Sequence, residues 1–231
     1  MITTPTQACV DEVIRNRRSV RAFLPQAVSQ EDIREILSVA ARAPSGSNTQ
    51  PWKVSVLTGE RLKSLSARIL ETHNNAAKLQ EHAEEYHYYP VEWVSPYLER
   101  RRKVGWDLYA LLGLTRDNKV GMHHQHGRNY AFFDAPVGLI FTIDRVMQQG
   151  SWLDYGMFLQ NVMLAAKARG LDTCPQAAFT QFHRIIGEEL DLTENEMVVC
   201  GMSLGFADIS KIENTLETER APLEQFVKFF D

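Results

Sequence analysis

Apolar positions recur with two different periods along the 231-residue chain, and the switches between them mark its elements. Over residues 29–42, Ile33, Ile36, Leu37 and Ala40 fall at i, i+3, i+4 and i+7, one stripe of an amphipathic helix. Ser29 is placed to cap its N-terminus, with Asp32 three residues on, and Pro44 and Gly46 stop it. Lys53 to Thr58 (KVSVLT) alternates and is β-branched, which predicts a strand, followed by a polar helix over roughly 59–80. Val137 to Ile143 reads as a buried strand entered through Asp134-Ala-Pro136, and Glu196 to Leu204 as another, ending at Gly205.

Residues 151–169 read as a helix that is apolar almost all round. Trp152, Tyr155, Phe158, Val162 and Met163 leave little polar face, so cover is needed on every side, from the fold or from a second subunit. Helices alternating irregularly with few strands predict an α+β sandwich rather than a regular βαβ repeat. No repeat, linker or break in composition divides residues 1–231, so a single domain is expected. Residues 86–109 stand apart, with Tyr86, Tyr88, Tyr89, Trp93, Tyr97, Trp106 and Tyr109 among them. Such a segment reads as a helical excursion (about 86–127) stapled to the core, as a lid or pocket wall for a flat ligand, or as both.

Composition narrows the class. Hydrophobic residues at 44% and charged residues at 23% exclude disordered and low-complexity chains. With 25 Lys and Arg against 29 Asp and Glu, the net charge of −4 argues against a nucleic-acid binder, whose phosphate affinity comes from clustered cations. Three scattered cysteines, Cys9, Cys174 and Cys200, suit neither a disulfide framework nor a zinc site, and a reducing, cytoplasmic setting is expected. The N-terminus lacks the basic start and apolar run of a signal peptide, and the longest apolar stretch falls far short of the roughly 20 residues that span a bilayer. The expectation is a soluble protein without membrane or nucleic-acid partners. A compact monomer of this length exposes about 10,600 Å².

Three segments carry candidate chemistry. Arg17-Arg18-Ser19-Val20-Arg21 follows a short helix, and its guanidiniums suit a phosphate, which Arg binds bidentately. If the segment is extended, Arg17, Ser19 and Arg21 project on one side; a solvated basic helix end is the plainer alternative. Ala43-Pro-Ser-Gly-Ser-Asn48-Thr-Gln-Pro-Trp52 is long for a helix–strand connection, and its backbone can approach a ligand closely. In the Asp172-Thr-Cys-Pro-Gln-Ala-Ala-Phe179 loop, small Ala177 and Ala178 allow a planar ring against the backbone. Cys174 has no paired His and acid at a nucleophile's spacing and reads as a small buried residue. Gly121-Met-His-His-Gln-His126 groups three imidazoles without an acidic or Cys partner at metal-ligand spacing, so no metal is expected. Glu99-Arg-Arg-Arg-Lys103 reads as a solvated helix face. Neither GxGxxG nor GxxxxGK[ST] occurs.

Taken in order, RRSVR, APSGSNTQPW, GLDTCPQAAF and the late Arg220 in LETERAP make the chain resemble the FMN-dependent nitroreductase family, and within it the nitrobenzoate and general nitroaromatic reductases. The resemblance implies an α+β fold with a central, mainly antiparallel sheet flanked by helices, in an intertwined homodimer with FMN at the interface. It implies that Arg17, Arg18, Ser19 and Arg21 hold the phosphate, ribityl and N1/O2 edge, with Arg21 stabilising the reduced flavin electrostatically, while Arg220 closes on the phosphate. Pro44, Ser45, Gly46 and Asn48 would come from the other subunit, and Pro175, Gln176 and Ala177 would flank the ring. No side chain is then catalytic in itself, since the flavin carries the chemistry. The implied activity is reduction of nitroaromatics, and of quinones, by NADH or NADPH in a ping-pong hydride transfer. Alternatives are another acceptor, such as an enone or halogenated phenol, or an FMN-binding storage or sensor protein. Two departures stand out. Thr218 replaces a Lys found in some members, leaving the clamp one charge weaker, and Arg128 stands where relatives place Asn, which puts it near flavin or substrate.

Overall fold

The computed structural model describes residues 4–230. Its centre is an antiparallel sheet of β1 (Lys53–Thr58), β2 (Val137–Asp144), β3 (Asp172–Gln176) and β4 (Glu196–Gly205), in the order β1-β2-β4-β3. Around it lie α1 (Pro5–Asn16), α2 (Gln30–Ala40), α3 (Gly59–His73), α4 (Ala76–Leu79), α5 (Tyr97–Leu111), α6 (Lys119–Gly127), α7 (Gln149–Lys167) and α8 (His183–Leu190).

Strand alternation divides the core into two layers. Val137, Leu139, Phe141 and Ile143 of β2 meet Ile33 and Ile36 of α2 and Tyr155, Phe158 and Val162 of α7. On the other face Ile140 meets Leu65 and Ile69 of α3, Ile185 and Ile186 of α8, and Tyr130, Phe132 and Phe179. Gly201 of β4 is needed there, because a Cβ would collide with the Phe179 ring. Opposite β2, the ladder skips from Phe141↔Cys200 to Thr142↔Val198, so Val199 bulges without a partner. Its carbonyl accepts a hydrogen bond from the Tyr86 hydroxyl at 2.5 Å, which ties the aromatic segment to the sheet.

The predicted periodicities agree with these elements, with two differences. Ser29 caps α2, its Oγ accepting the Asp32 N–H at 3.0 Å. The helix expected to run to residue 80 breaks after His73, where the Asn75 side chain accepts from Ala77 and Lys78 N–H and starts α4 afresh. The segment expected as a loop after Gly170 contains β3; its Pro175 is tolerated because β3 is an edge strand in the sheet order. The apolar helix spans Gln149–Lys167 and remains open on one side, where Leu153 is 74% exposed. No described helix is long and apolar enough to cross a membrane.

The histidines of α6 pack as rings rather than converging as ligands. His73 and His123 stack at 4.0 Å with 6° between planes, and His73 Nε2 lies 3.3 Å from the His123 carbonyl. Among the described residues no group of His, Cys, Asp and Glu is arranged to hold a metal ion. Burial holds the His73 imidazole below its ordinary value, with His123 adding a like charge, and the contact to the His123 carbonyl opposes them only in part. His183 is shifted the same way by burial. The unfolded chain therefore binds more protons than the fold below about pH 6.5. Stability is full above that pH and is lost as pH falls towards the depressed folded values. Urea midpoints should drop between pH 7.5 and 5.5, and His73→Gln should flatten that drop.

Candidate active site

The guanidinium segment folds as an extended chain along the outer edge of β3. α1 ends at Asn16, and Ser19 then pairs in parallel with Thr173, the Val20 N–H donating to the Thr173 carbonyl at 3.0 Å. Alternation follows: Val20 and Ala22 are buried, while Arg17, Ser19 and Arg21 are half-buried on the opposite side. They face a cavity of about 790 Å³. Arg18 and Arg220 also line it, with Lys167 from the end of α7 and Thr218 from the C-terminal segment.

Charge in this cavity is unbalanced. Lys167 is paired with Asp172 at 2.8 Å, and Glu217 is the carboxylate in the lining. Among the described residues, Arg17, Arg18, Arg21 and Arg220 have no carboxylate within 4.0 Å. Burial lowers the Arg17 pKa, and the neighbouring Arg220 charge lowers it further. Such a cluster calls for a multiply charged anion. Arg220 donates to the Thr218 hydroxyl at 2.8 Å and to the carbonyls of Thr218 and Glu219. Thr218 thus orients this guanidinium where a lysine would have added charge.

Buried polar residues fix the segment from behind. The Arg21 N–H donates to Asn214 Oδ1 at 2.7 Å, and Asn214 Nδ2 donates to the Ala22 carbonyl at 2.8 Å. The adjacent Glu213, with a side chain 6% exposed, pairs with Arg128 at 2.5 Å. Arg128 also meets Asp134 at 3.1 Å and is not among the residues lining either cavity described here. Within this chain, Arg128, expected beside flavin or substrate, braces the turn that carries Asn214 through Glu213. The spacing of IENT held no signal for this, because its partners lie 85 and 193 residues away.

A second cavity of about 650 Å³ opens at the other end of β3. Pro175, Gln176 and Ala177 form one side; Tyr86, Tyr88, Trp152 and Tyr155 supply aromatic walls. Gln176 is immobilised, donating to the Asn129 carbonyl at 2.7 Å and accepting from Ser203 Oγ at 2.7 Å. Thus the aromatic segment is both stapled to the core and part of a pocket wall. Cys174 lies buried between the two cavities, its thiol pushed up to about 11 by desolvation although Arg21, Ser19 and Arg17 oppose the shift. It is no thiolate at neutral pH. The loop with Pro44, Ser45, Gly46 and Asn48 is mostly exposed and sits against α7, the Gly46 N–H donating to Asp154 Oδ2 at 3.1 Å. Within one chain it joins neither cavity lining.

Comparison with known proteins places this geometry. The family model described as "Nitroreductase family" matches residues 14–206. A chloronitrobenzene nitroreductase from Comamonas testosteroni is 44% identical over 97% of this chain and 98% of its own. A 4-nitrobenzoate reductase from Pseudomonas putida is 44% identical over 95% of this chain and 94% of its own. Among solved structures, the FMN-dependent nitroreductase NfnB from Mycobacterium smegmatis, in complex with NADPH, superposes with a TM-score of 0.92 at 30% identity, covering 98% of this chain and all of that one.

The Arg128–Glu213 pair generates a test by double-mutant cycle. Arg128→Met strands the buried Glu213 carboxylate and should cost about 3 kcal/mol of stability in chemical denaturation. Adding Glu213→Leu should recover most of that loss. A purely additive cycle would show that the pair does not hold the turn.

Proposed function

The chain belongs to the nitroreductase family, and from that premise we propose that it is an FMN-dependent oxidoreductase that uses NAD(P)H to reduce nitroaromatic compounds. The observation that carries this reading is the pairing of two unlike cavities on one strand. Unneutralised guanidiniums gather at the Thr173 end of β3, and an aromatic-walled cavity opens at Pro175–Ala177. Cys174 alone lies between Thr173 and Pro175, which are about 7 Å apart along the strand. FMN has matching halves, a dianionic phosphate and a flat ring system joined by a polyol.

Bound there, FMN would supply hydride acceptance from NAD(P)H and electron delivery to the acceptor. Arg17, Arg18, Ser19 and Arg220 hold the phosphate and polyol end. Arg21 would supply positive charge to stabilise the reduced cofactor. Pro175, Gln176 and Ala177 wall the ring, and the hydrogen bonds of Gln176 fix that wall before any ligand arrives. The aromatic side chains exclude water from the reacting face. One cavity serving donor and acceptor in turn gives ping-pong kinetics, with quinones as further acceptors.

A homodimer completes the site in this reading. The chain exposes 14445 Å², well above the roughly 10,600 Å² of a compact monomer of its length. The surplus is rich in apolar groups, Leu153 and Met157 on α7 and Phe226, Phe229 and Phe230 in the C-terminal segment. A second subunit covers this surface and brings its Pro44–Asn48 loop to the first subunit's cofactor.

The purified protein should be yellow, sediment as a dimer, and bleach anaerobically with NADH or NADPH, colour returning on addition of a nitroarene. Bleaching without reoxidation by any nitroarene would move the function to another acceptor; yellow protein that neither nucleotide bleaches would leave an FMN-binding module. Arg17→Ala and Arg21→Ala each remove a charge-assisted hydrogen bond of about 1.5–3 kcal/mol, so FMN affinity should fall about 10- to 150-fold per substitution by fluorescence titration.

A further inference from the structure

The loop between α2 and β1 carries strain that its own chain does not use. Ser47, Asn48 and Gln50 lie in the left-handed region, at φ 51°, 57° and 48°, although none is glycine. Pro44 and Gly46 to Gln50 are exposed, so packing does not impose that conformation. Such strain persists only where the surroundings over-determine it, and it gathers at ligand sites. Inside the loop, the Asn48 N–H donates to the Ser45 carbonyl at 2.9 Å, and the Gln50 N–H to Ser45 Oγ at 3.0 Å. These bonds give the loop its shape and leave its position on the protein free.

Position comes from α7. Among the described residues, the bond from the Gly46 N–H to Asp154 Oδ2, at 3.1 Å, is the one hydrogen bond that joins residues 44–50 to the rest of the chain. The flanks of the loop rest on the same helix. Trp52 stacks on Phe158 with ring centroids 4.8 Å apart and 5° between planes, and Asn161 Nδ2 donates to the Ala40 carbonyl at 3.3 Å. Asp154, Phe158 and Asn161 are spaced i, i+4 and i+7, one stripe of α7. Leu153 and Met157, both exposed, occupy the stripe beside it. The helix thus carries the attachment of the loop and an open apolar face side by side.

We propose that Asp154 is a positioning residue for the cofactor, its carboxylate setting the pose in which the Pro44–Asn48 loop reaches the other subunit's FMN. The proposal rests on the FMN-binding dimer proposed above, and it adds a residue that lines neither cavity. An ionised acceptor suits the task, because a bond from an N–H to a carboxylate is stronger than one to a neutral oxygen.

The test removes the acceptor without breaking the helix. Asp154→Ala puts the strongest helix former into α7, and Asp154→Leu keeps the bulk of the side chain without an acceptor. In the protein as purified, hydrogen–deuterium exchange over residues 45–50 should quicken about tenfold in both, with β1 and α7 unchanged. FMN affinity by fluorescence titration should fall about tenfold in both, and by less than about twofold in Asp154→Asn, which retains an acceptor. Unchanged loop exchange overturns the proposal, and so does full FMN affinity in a variant whose loop exchanges faster. Mixed dimers of an Asp154→Ala chain with an Arg17→Ala chain locate the effect. One of their sites combines an intact Arg17 with an intact loop and should bind FMN as the wild type does. Two weakened sites would show that Asp154 acts within its own subunit and would overturn the proposal. A wild type that takes up no FMN ends the functional reading and this cofactor role together, whereas loop exchange in the variants is independent of FMN, which separates the two failures.

Discussion

Guanidinium groups held close together without carboxylates repel one another, and the surroundings of β3 are organised around that repulsion. Arg17, Arg21 and Arg220 converge on one cavity, and the Arg17 pKa is lowered by its own burial and by Arg220. Such a cluster persists only where the backbone beneath it is over-determined. The parallel bridge of Ser19 to Thr173, the double clamp of Asn214 and the Arg128–Glu213 pair supply that rigidity. Under the proposed function a bound dianion would relieve that repulsion, so cofactor binding would also raise local stability.

Local pattern made the architecture largely legible. The strand at 53–58 and the cap at Ser29 depend on nearest neighbours, and both stand where periodicity predicts them. The short strand β3 is not legible locally because its stability comes from β4, some thirty residues later, and a proline in five residues is a loop signal unless the strand lies at an edge. The break at Asn74–Asn75 is hidden for a related reason. Helical composition continues through it, and only a side-chain cap restarts the helix.

Site residues divided along the same line. Arg17, Arg18, Ser19 and Arg21 stand out in the sequence as a charge cluster and Arg220 through the family resemblance alone, and the fold lines one cavity with all five. Ala177 stands out as a small residue after Pro175, Gln176 enters through the resemblance alone, and all three line a different cavity from the arginines. The Arg128–Glu213 pair is not legible in the sequence, because guanidinium chemistry looks identical there whether it meets a ligand or a buried carboxylate, and no local spacing links the two residues.

The two cavities on β3 differ in chemical character, one lined by guanidiniums without carboxylate partners and the other walled by aromatic rings, and the proposed function rests on that difference. By committing the Tyr86 and Tyr155 hydroxyls to backbone carbonyls, the fold withdraws polar groups from the second cavity and leaves aromatic faces and a few neutral donors at its mouth. The bulge at Val199 matters here beyond the sheet. It frees the carbonyl that holds Tyr86, and so links an irregularity in one strand to the chemical character of the pocket beside it.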